Sequence, residues 1–171
     1  MNIEGATVRR LRVEEIGAYQ RLRREMLVDS PWAFTASPDD DKARDASFLA
    51  SSLGEEGNAI LVAVHGEAVV GAAGVARDAR AKRKHVALLW GVYVDPAWRG
   101  KGVGRAVVGA AIEFARGLKG LAKLQLAVSE NAPEARAMYE SLGFAAWGVE
   151  KDGVREGGRS WGETYMELRL E

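Results

Sequence analysis

The sequence predicts a mixed α/β (α+β) domain, and three observations carry that reading. Short apolar runs of strand length alternate with longer stretches of helical periodicity along the chain. Two of the short runs, Ala59 to Val64 and Ala68 to Ala76, are joined by a turn at His65 to Glu67 and read as a hairpin. A third, Leu88 to Val94, leads through a glycine-rich turn into a helix with apolar positions Val103, Val107, Ala110, Ala111, Phe114 and Leu118. At 171 residues, 47% of them hydrophobic, the chain can bury a sizeable core, so one domain over residues 1–171 is expected.

A short strand from Thr7 to Leu11 precedes a helix from about Val13 to Val28, which keeps Ile16, Tyr19, Leu22 or Arg23, and Met26 near one face. An acidic, proline-punctuated loop follows from Asp29 to Asp41; with Trp32 and Phe34 it has more aromatic content than a linker needs. A second helix is expected over Lys42 to Leu53, closed by a turn at Gly57 and Asn58. After the hairpin and a polar turn comes the strand His85 to Val94, then the glycine turn and its helix. A strand Lys123 to Val128, a helix Pro133 to Leu142 and strands near Ala145 to Lys151 and Trp161 to Leu170 complete the order.

Composition removes several function classes. With no cysteine, neither a disulfide, a thiolate nucleophile nor a cysteine-ligated zinc site is available, and two histidines leave little for a histidine-rich metal site. Catalysis must use oxygen and nitrogen groups. The 24 basic and 24 acidic residues balance, so no global field favours nucleic acid or a membrane surface. The basic run Arg77, Arg80, Lys82, Arg83, Lys84, His85 has no interleaved aromatics and reads as a solvated hairpin tip. Met1 to Arg12 is mixed polar, unlike a leader, and no uncharged apolar run reaches spanning length; a soluble, cytoplasmic protein is expected.

The glycine turn reads Arg99, Gly100, Lys101, Gly102, Val103, Gly104, with Arg105 following. A strand that delivers glycines to a helix N-terminus makes an anion site: the unpaired first-turn N–H groups point outward, and glycine lets the backbone close on phosphate oxygens. The spacing is not that of a P-loop, since no Lys-Ser/Thr follows Gly104. It is not a dinucleotide fingerprint either, since Val107 stands where the third glycine belongs. The pattern suits phosphate held by backbone amides without a metal.

Two runs, VYVDPAWRGKGVGRAVV (Val92 to Val108) and LQLAVSENAPEARAMYESLGF (Leu124 to Phe144), resemble the GNAT superfamily of acyl-CoA-dependent N-acyltransferases. The resemblance is tight over roughly a third of the chain. It implies a mostly antiparallel central sheet of about six to seven strands flanked by about four helices. It also implies acetyl-CoA as co-substrate, its pyrophosphate on the Arg99 to Arg105 turn and its pantetheine arm along the backbone of Val92, Tyr93 and Val94. A glycine inside an apolar strand marks a bulge or a close backbone approach, and Gly91 stands at the matching place.

In resembling enzymes the tyrosine matching Tyr139 lies beside the CoA sulfur as general acid; a phenol of reference pKa near 10 can donate to a departing thiolate. The same helix face carries Ala135, Met138 and Leu142, so a core aromatic is the alternative. Asn131 is implied as a CoA contact, although it stands eight residues before Tyr139 where the family usually has seven, and its spacing to Glu134 also suits a capping box. The family's strand glutamate, the usual base, is matched by Leu88, and no carboxylate lies between His85 and Val94. Glu25, Asp29, His85, Glu163 or a water chain remain for that role.

The expected activity is acetyl transfer from acetyl-CoA to a primary amine by direct attack, with a small molecule or amino acid as first acceptor and a protein N-terminus or lysine as second. Trp32 and Phe34 are the acceptor-side residues, and Asp29, Asp39, Asp40 and Asp41 beside them would suit a cationic amine. A non-catalytic acyl-CoA-binding sensor is the rival reading, favoured by Leu88 and opposed by Tyr139; a nucleotide-binding regulatory protein is a more distant third. Monomer and homodimer are both open, and neither nucleic acid nor membrane is an expected partner.

Overall fold

Alternating apolar runs become the strands of one sheet in a computed structural model that describes residues 1–170. In chain order the elements are β1 (Asn2–Ile3), β2 (Ala6–Arg10), α1 (Ile16–Asp29), α2 (Ala46–Leu53), β3 (Asn58–His65) and β4 (Ala68–Arg77). There follow β5 (Val86–Val94), α3 (Val103–Arg116), β6 (Lys123–Ser129), α4 (Pro133–Ser141), β7 (Ala145–Glu156) and β8 (Arg159–Arg169). The eight strands lie in the order β1-β2-β3-β4-β5-β6-β8-β7. All neighbours are antiparallel except β5 and β6, which run parallel because α3 crosses over between them.

The sheet separates two cores. On one face α3 buries Val103, Val107, Val108, Ala111 and Ala115 against Leu61, Ala73 and Leu89, joined by Leu124, Leu126, Tyr139 and Met166. On the other, α1 and α2 bury Tyr19, Leu22, Met26, Leu27 and Leu49 against Ile60, Val62, Ala72 and Tyr93. The alternating residues of β3 and β4 divide between these cores, as in a sheet covered on both sides, whereas β6 and β8 contribute only to the core under α3.

Three details depart from the sequence expectation, each for a local reason. The sheet has eight strands rather than six or seven, because two residues at the N-terminus fold back on β2 (Asn2 opposite Thr7, Ile3 opposite Ala6), too short a run to show a period. The first helix opens as a 3₁₀ turn at Val13–Glu15, where the Glu15 carboxylate accepts from the Arg12 backbone N–H at 3.1 Å and from the Arg9 guanidinium at 2.7 Å. The second is interrupted at Asp45, whose carboxylate accepts from the N–H groups of Ser47 and Phe48 and so starts α2 afresh, leaving Lys42–Arg44 as a separate turn.

Candidate active site

The sheet is open at its centre. β5 pairs with β6 only from Val86 to Leu88, opposite Lys123 to Gln125, and beyond Leu88 the two strands part. The cause is a bulge: the register with β4 shifts between Ala72 and Gly74, so that Gly91 and Val92 face the single residue Ala73. Gly91 has φ +58°, a conformation L side chains resist. Past Leu88, the backbone groups of β5 that face β6 have no partner strand, and Val92, Tyr93 and Val94 lie on this free edge.

The bulge is supported from beneath. A Cβ on Gly91 would lie 3.0 Å from Arg23 Nη1. Arg23 comes from α1 and donates through Nε and Nη2 to the two carboxylate oxygens of Asp41, each at 3.0 Å, with both side chains about nine-tenths buried. Its guanidinium lies over the Trp90 ring at 5.5 Å, and that ring lies on Gly74, where a Cβ would clash at 2.2 Å. The Trp90 indole N–H is buried without a partner.

At the mouth of the open seam stands the glycine turn. Asp95 caps the 3₁₀ turn Pro96–Trp98, and Gly102, at φ +78°, is the N-cap of α3. No side chain caps this helix, and Ala106 N–H is bonded to the Gly102 carbonyl at 3.0 Å. The N–H groups of Val103, Gly104 and Arg105 therefore precede the helical ladder and are available to an anion. Buried Val103 anchors the turn against Gly71, and Gly104 faces Val94 and Met138.

The basic side chains of the turn are engaged elsewhere. Arg99 donates through Nη2 to Asp29 at 2.7 Å and through Nε to the Val94 carbonyl at 3.1 Å, and stacks over Tyr93 at 5.3 Å. Arg105 donates to the Ser141 hydroxyl at 2.6 Å, and the Lys101 ammonium sits over Trp98. Sequence reading missed Asp29 as the partner of Arg99 because the two are 70 residues apart. Tyr93 also bonds Asp29, through its hydroxyl at 3.0 Å. These contacts, the arginine's above all, hold the Asp29 carboxyl below the usual carboxylate range.

Tyr139 projects from α4 into the core below the sheet, 6% exposed, with its ring edge-on to Phe144 at 5.8 Å. Its hydroxyl forms no hydrogen bond with a described residue, and burial raises its pKa. Asn131 is exposed and caps nothing: the N-cap of α4 is Ala132, without a side-chain bond, and the capping box expected with Glu134 does not form. Ser129, at the end of β6, makes the turn instead, its hydroxyl accepting from Asn131 N–H and its carbonyl from Ala132 N–H.

On the opposite face a cleft of about 470 Å³ lies between the loop after α1 and the bulged part of β7, lined by Leu27, Phe34, Pro38, Asp40, Gly153 and Arg155 among others. Phe34 lines it; Trp32 does not, being half-buried in the 3₁₀ turn Pro31–Ala33 that packs on β6 and β7. The loop's carboxylates are largely occupied, Asp29 by Arg99, Asp41 by Arg23 and Asp40 by the Ser37 N–H at 2.6 Å. That weakens the reading of this loop as a cation trap. Of the base candidates, Glu25 and His85 are exposed, His85 ahead of the paired end of β5, and Leu88 is 49% exposed. Glu163 alone is buried, at 7% exposure.

The overall fold recurs in known proteins. A phosphinothricin acetyltransferase of the GNAT superfamily from Sinorhizobium meliloti, solved with acetyl-CoA, superposes with a TM-score of 0.85 at 21% identity, covering 97% of this chain and 89% of that one. A GCN5-related N-acetyltransferase from Kribbella flavida superposes with a TM-score of 0.81 at 26% identity, covering 97% and 98%. In sequence, a mycothiol acetyltransferase of Salinispora tropica is 43% identical over 54 residues, a match that spans 32% of this chain and only 18% of that protein. The model of the acetyltransferase (GNAT) family matches residues 19–144, and the chain belongs to that family.

Proposed function

We propose that residues 1–171 form one acetyltransferase domain that moves an acetyl group from acetyl-CoA to the primary amine of a small molecule or amino acid. The observation that carries this is the open seam between β5 and β6 with the uncapped N-terminus of α3 at its mouth. The free N–H groups of Val103, Gly104 and Arg105 hold the pyrophosphate, with the backbone of Arg99 to Gly102 around it. Gly102 takes a left-handed backbone at φ +78° with Ile3 3.1 Å from where a Cβ would be, and Gly104 lets the first turn of α3 pack on Val94 and Met138. Arg99 reaches the phosphates only by leaving Asp29. The unpaired edge of Val92, Tyr93 and Val94 takes the pantetheine arm as an added strand would, and a backbone N–H at the bulge stabilises charge developing on the thioester oxygen.

Tyr139 supplies a hydroxyl to the departing sulfur, and its lack of a partner within the protein supports that role over simple packing. Asn131, exposed at the head of α4, is kept as a peripheral CoA contact. With no cysteine, attack by the amine is direct. The cleft beside Phe34 receives the acceptor, with Trp32 shaping the turn behind it. Its volume of about 470 Å³ would suit a small amine, and two similar proteins are named for mycothiol and phosphinothricin. The proposed compartment is the cytoplasm; no described helix is long and apolar enough to cross a membrane.

The test is release of free thiol from acetyl-CoA across a panel of amines, paired with thermal melts. Acetyl-CoA at about 100 times its Kd should stabilise the protein by about 2.7 kcal/mol, equally in EDTA and in magnesium. Gly102→Val should abolish the shift. Superimposed melts with and without acetyl-CoA would sink the cofactor assignment, and binding without thiol release on any amine would favour the sensor.

A further inference from the structure

The reaction needs a proton acceptor for the amine, and the strand position that resembling sequences fill with glutamate is Leu88. We propose that Glu163, on β8, takes the proton from the acceptor's ammonium. This rests on the acetyltransferase reading above and names the residue that activates its acceptor.

Placement comes first. Met166 and Leu168 of β8 belong to the core under α3, so by strand alternation Glu163, Tyr165 and Glu167 lie on the opposite, acceptor face. Glu163 stands directly opposite Ser129 of β6. Ser129 is at the end of β6 beyond its last pair with β5, Gln125 opposite Leu88, and so belongs to the part of β6 that borders the open seam. β8 is the next strand beyond β6, which forms the far wall of the open seam, so the Glu163 backbone stands one strand spacing, about 4.8 Å, behind that wall, and a water can carry the proton between amine and carboxylate.

Its surroundings are those of a base rather than of a structural carboxylate. Glu163 is 7% exposed, yet no described residue donates a hydrogen bond to it and no cation pairs with it. The neighbouring charges are accounted for. Glu150, opposite on β7, accepts from the Tyr165 hydroxyl; Glu130 accepts from the Gly162 N–H at 2.7 Å. On the β7 bulge Asp152 and Arg155 pair with each other, leaving Lys151 exposed, and Asp29 on the helix side is held by Arg99. Gly153, which lines the cleft, packs directly on the Glu163 side chain, so close that a Cβ there would sit 3.2 Å from Glu163 Cγ and 3.3 Å from Oε2; the carboxylate thus lies against the cleft wall. Burial and then the negative charge of Glu150 push the Glu163 pKa up, toward the range where a carboxylate is a useful base.

The step balances as follows. One ammonium proton passes to the Glu163 carboxylate, and the freed lone pair attacks the thioester carbonyl carbon. The C–N bond forms, the C–S bond breaks with its electron pair on sulfur, and the second proton shed by nitrogen ends on that sulfur. Glu163 then returns its proton to solvent.

The test compares pH profiles of kcat/KM for the acceptor in wild type and Glu163→Gln. Wild type should rise with an ionisation displaced above the ordinary glutamate range and then level. The variant should lose about 10²-fold in turnover near neutral pH while binding acetyl-CoA and melting as wild type does. Its rate should climb tenfold per pH unit up to the amine's own pKa, because only free amine in solution can then react. Glu150→Gln should move the wild-type limb to lower pH. A Glu163→Gln profile that parallels wild type overturns the assignment, as does a loss matched by weaker acetyl-CoA binding and a lower melting temperature. A wild type inert toward every amine overturns the acetyltransferase reading itself, a result distinct from both.

Discussion

Replacing Tyr139 with phenylalanine should separate stability from turnover, because the hydroxyl it removes has no partner inside the protein. The ring, 6% exposed, keeps its edge contact with Phe144, so no cavity opens. The hydroxyl has no internal partner but is not sealed from solvent, so the variant should melt within about 2–4 °C of wild type, the shift that about 1 kcal/mol makes in a chain of this length. Turnover should fall. A hydrogen bond to a charged group contributes about 1.5–3 kcal/mol, and at about 1.36 kcal/mol per decade its loss from the transition state lowers kcat by about 10- to 150-fold. Burial raises the Tyr139 pKa, so the phenol stays protonated through the neutral range and adds no limb to the pH profile. The assay is thiol release under chemistry-limited conditions with parallel melts and acetyl-CoA titration. Wild-type turnover, or a fall in activity tracking a fall in melting temperature, would refute the reasoning and leave Tyr139 a core aromatic.

Two further outcomes follow from ion pairs. Asp41→Asn strands the buried Arg23 guanidinium beneath Gly91, which should cost about 3–5 kcal/mol, lower the melting temperature by roughly 10 °C and raise the KM for acetyl-CoA; an unchanged melt would show that the pair does not support the bulge. Hydrogen bonding to Arg9 lowers the pKa of Glu15 to about 2, a depressed carboxylate whose stabilisation is present above its unfolded value and lost as pH falls through the folded one. Arg9→Met should therefore destabilise the protein at neutral pH, by chemical denaturation, with the difference from wild type closing between about pH 4.5 and 2; a difference that persists at low pH would assign the effect to packing.

The glycine turn and the helix that follows it were legible in the sequence because they are local. Gly100 to Gly104 and their strand-to-helix context occupy one stretch, and the apolar spacing after Val103 marks the buried face of α3. Gly91 could be read as a bulge from its place in an apolar strand, and its positive φ agrees. The acceptor side was not legible, because its contacts join distant residues through side chains. Arg23 stood ambiguously beside Leu22 on an apolar helix face; an arginine at such a position signals a buried acidic partner, and Asp41, 18 residues on, is that partner. Glu163 was one of four base candidates that the sequence could not rank, and only the register sets it opposite Glu150 and Ser129.

The loop from Asp29 to Asp41 looks like a cation trap in sequence, but both of its terminal carboxylates are anchors. Asp29 is tied to Arg99 of the glycine turn and to Tyr93 of β5, and Asp41 to Arg23 beneath the bulge of the same strand. Each anchor therefore joins the acceptor loop to the wall along which the pantetheine arm is proposed to lie. Pyrophosphate drawing Arg99 away would free one end of the loop, while Asp41, nine-tenths buried with its arginine, would hold the other. The loop's position thus depends on contacts made at its two ends, and Asp29 and Asp41 are committed to that linkage, while Asp40 faces the cleft and Asp39 is exposed. The proposed role of Glu163 follows the same logic: it is buried, packed against Gly153 of the cleft wall, and has no internal partner to which its charge is committed.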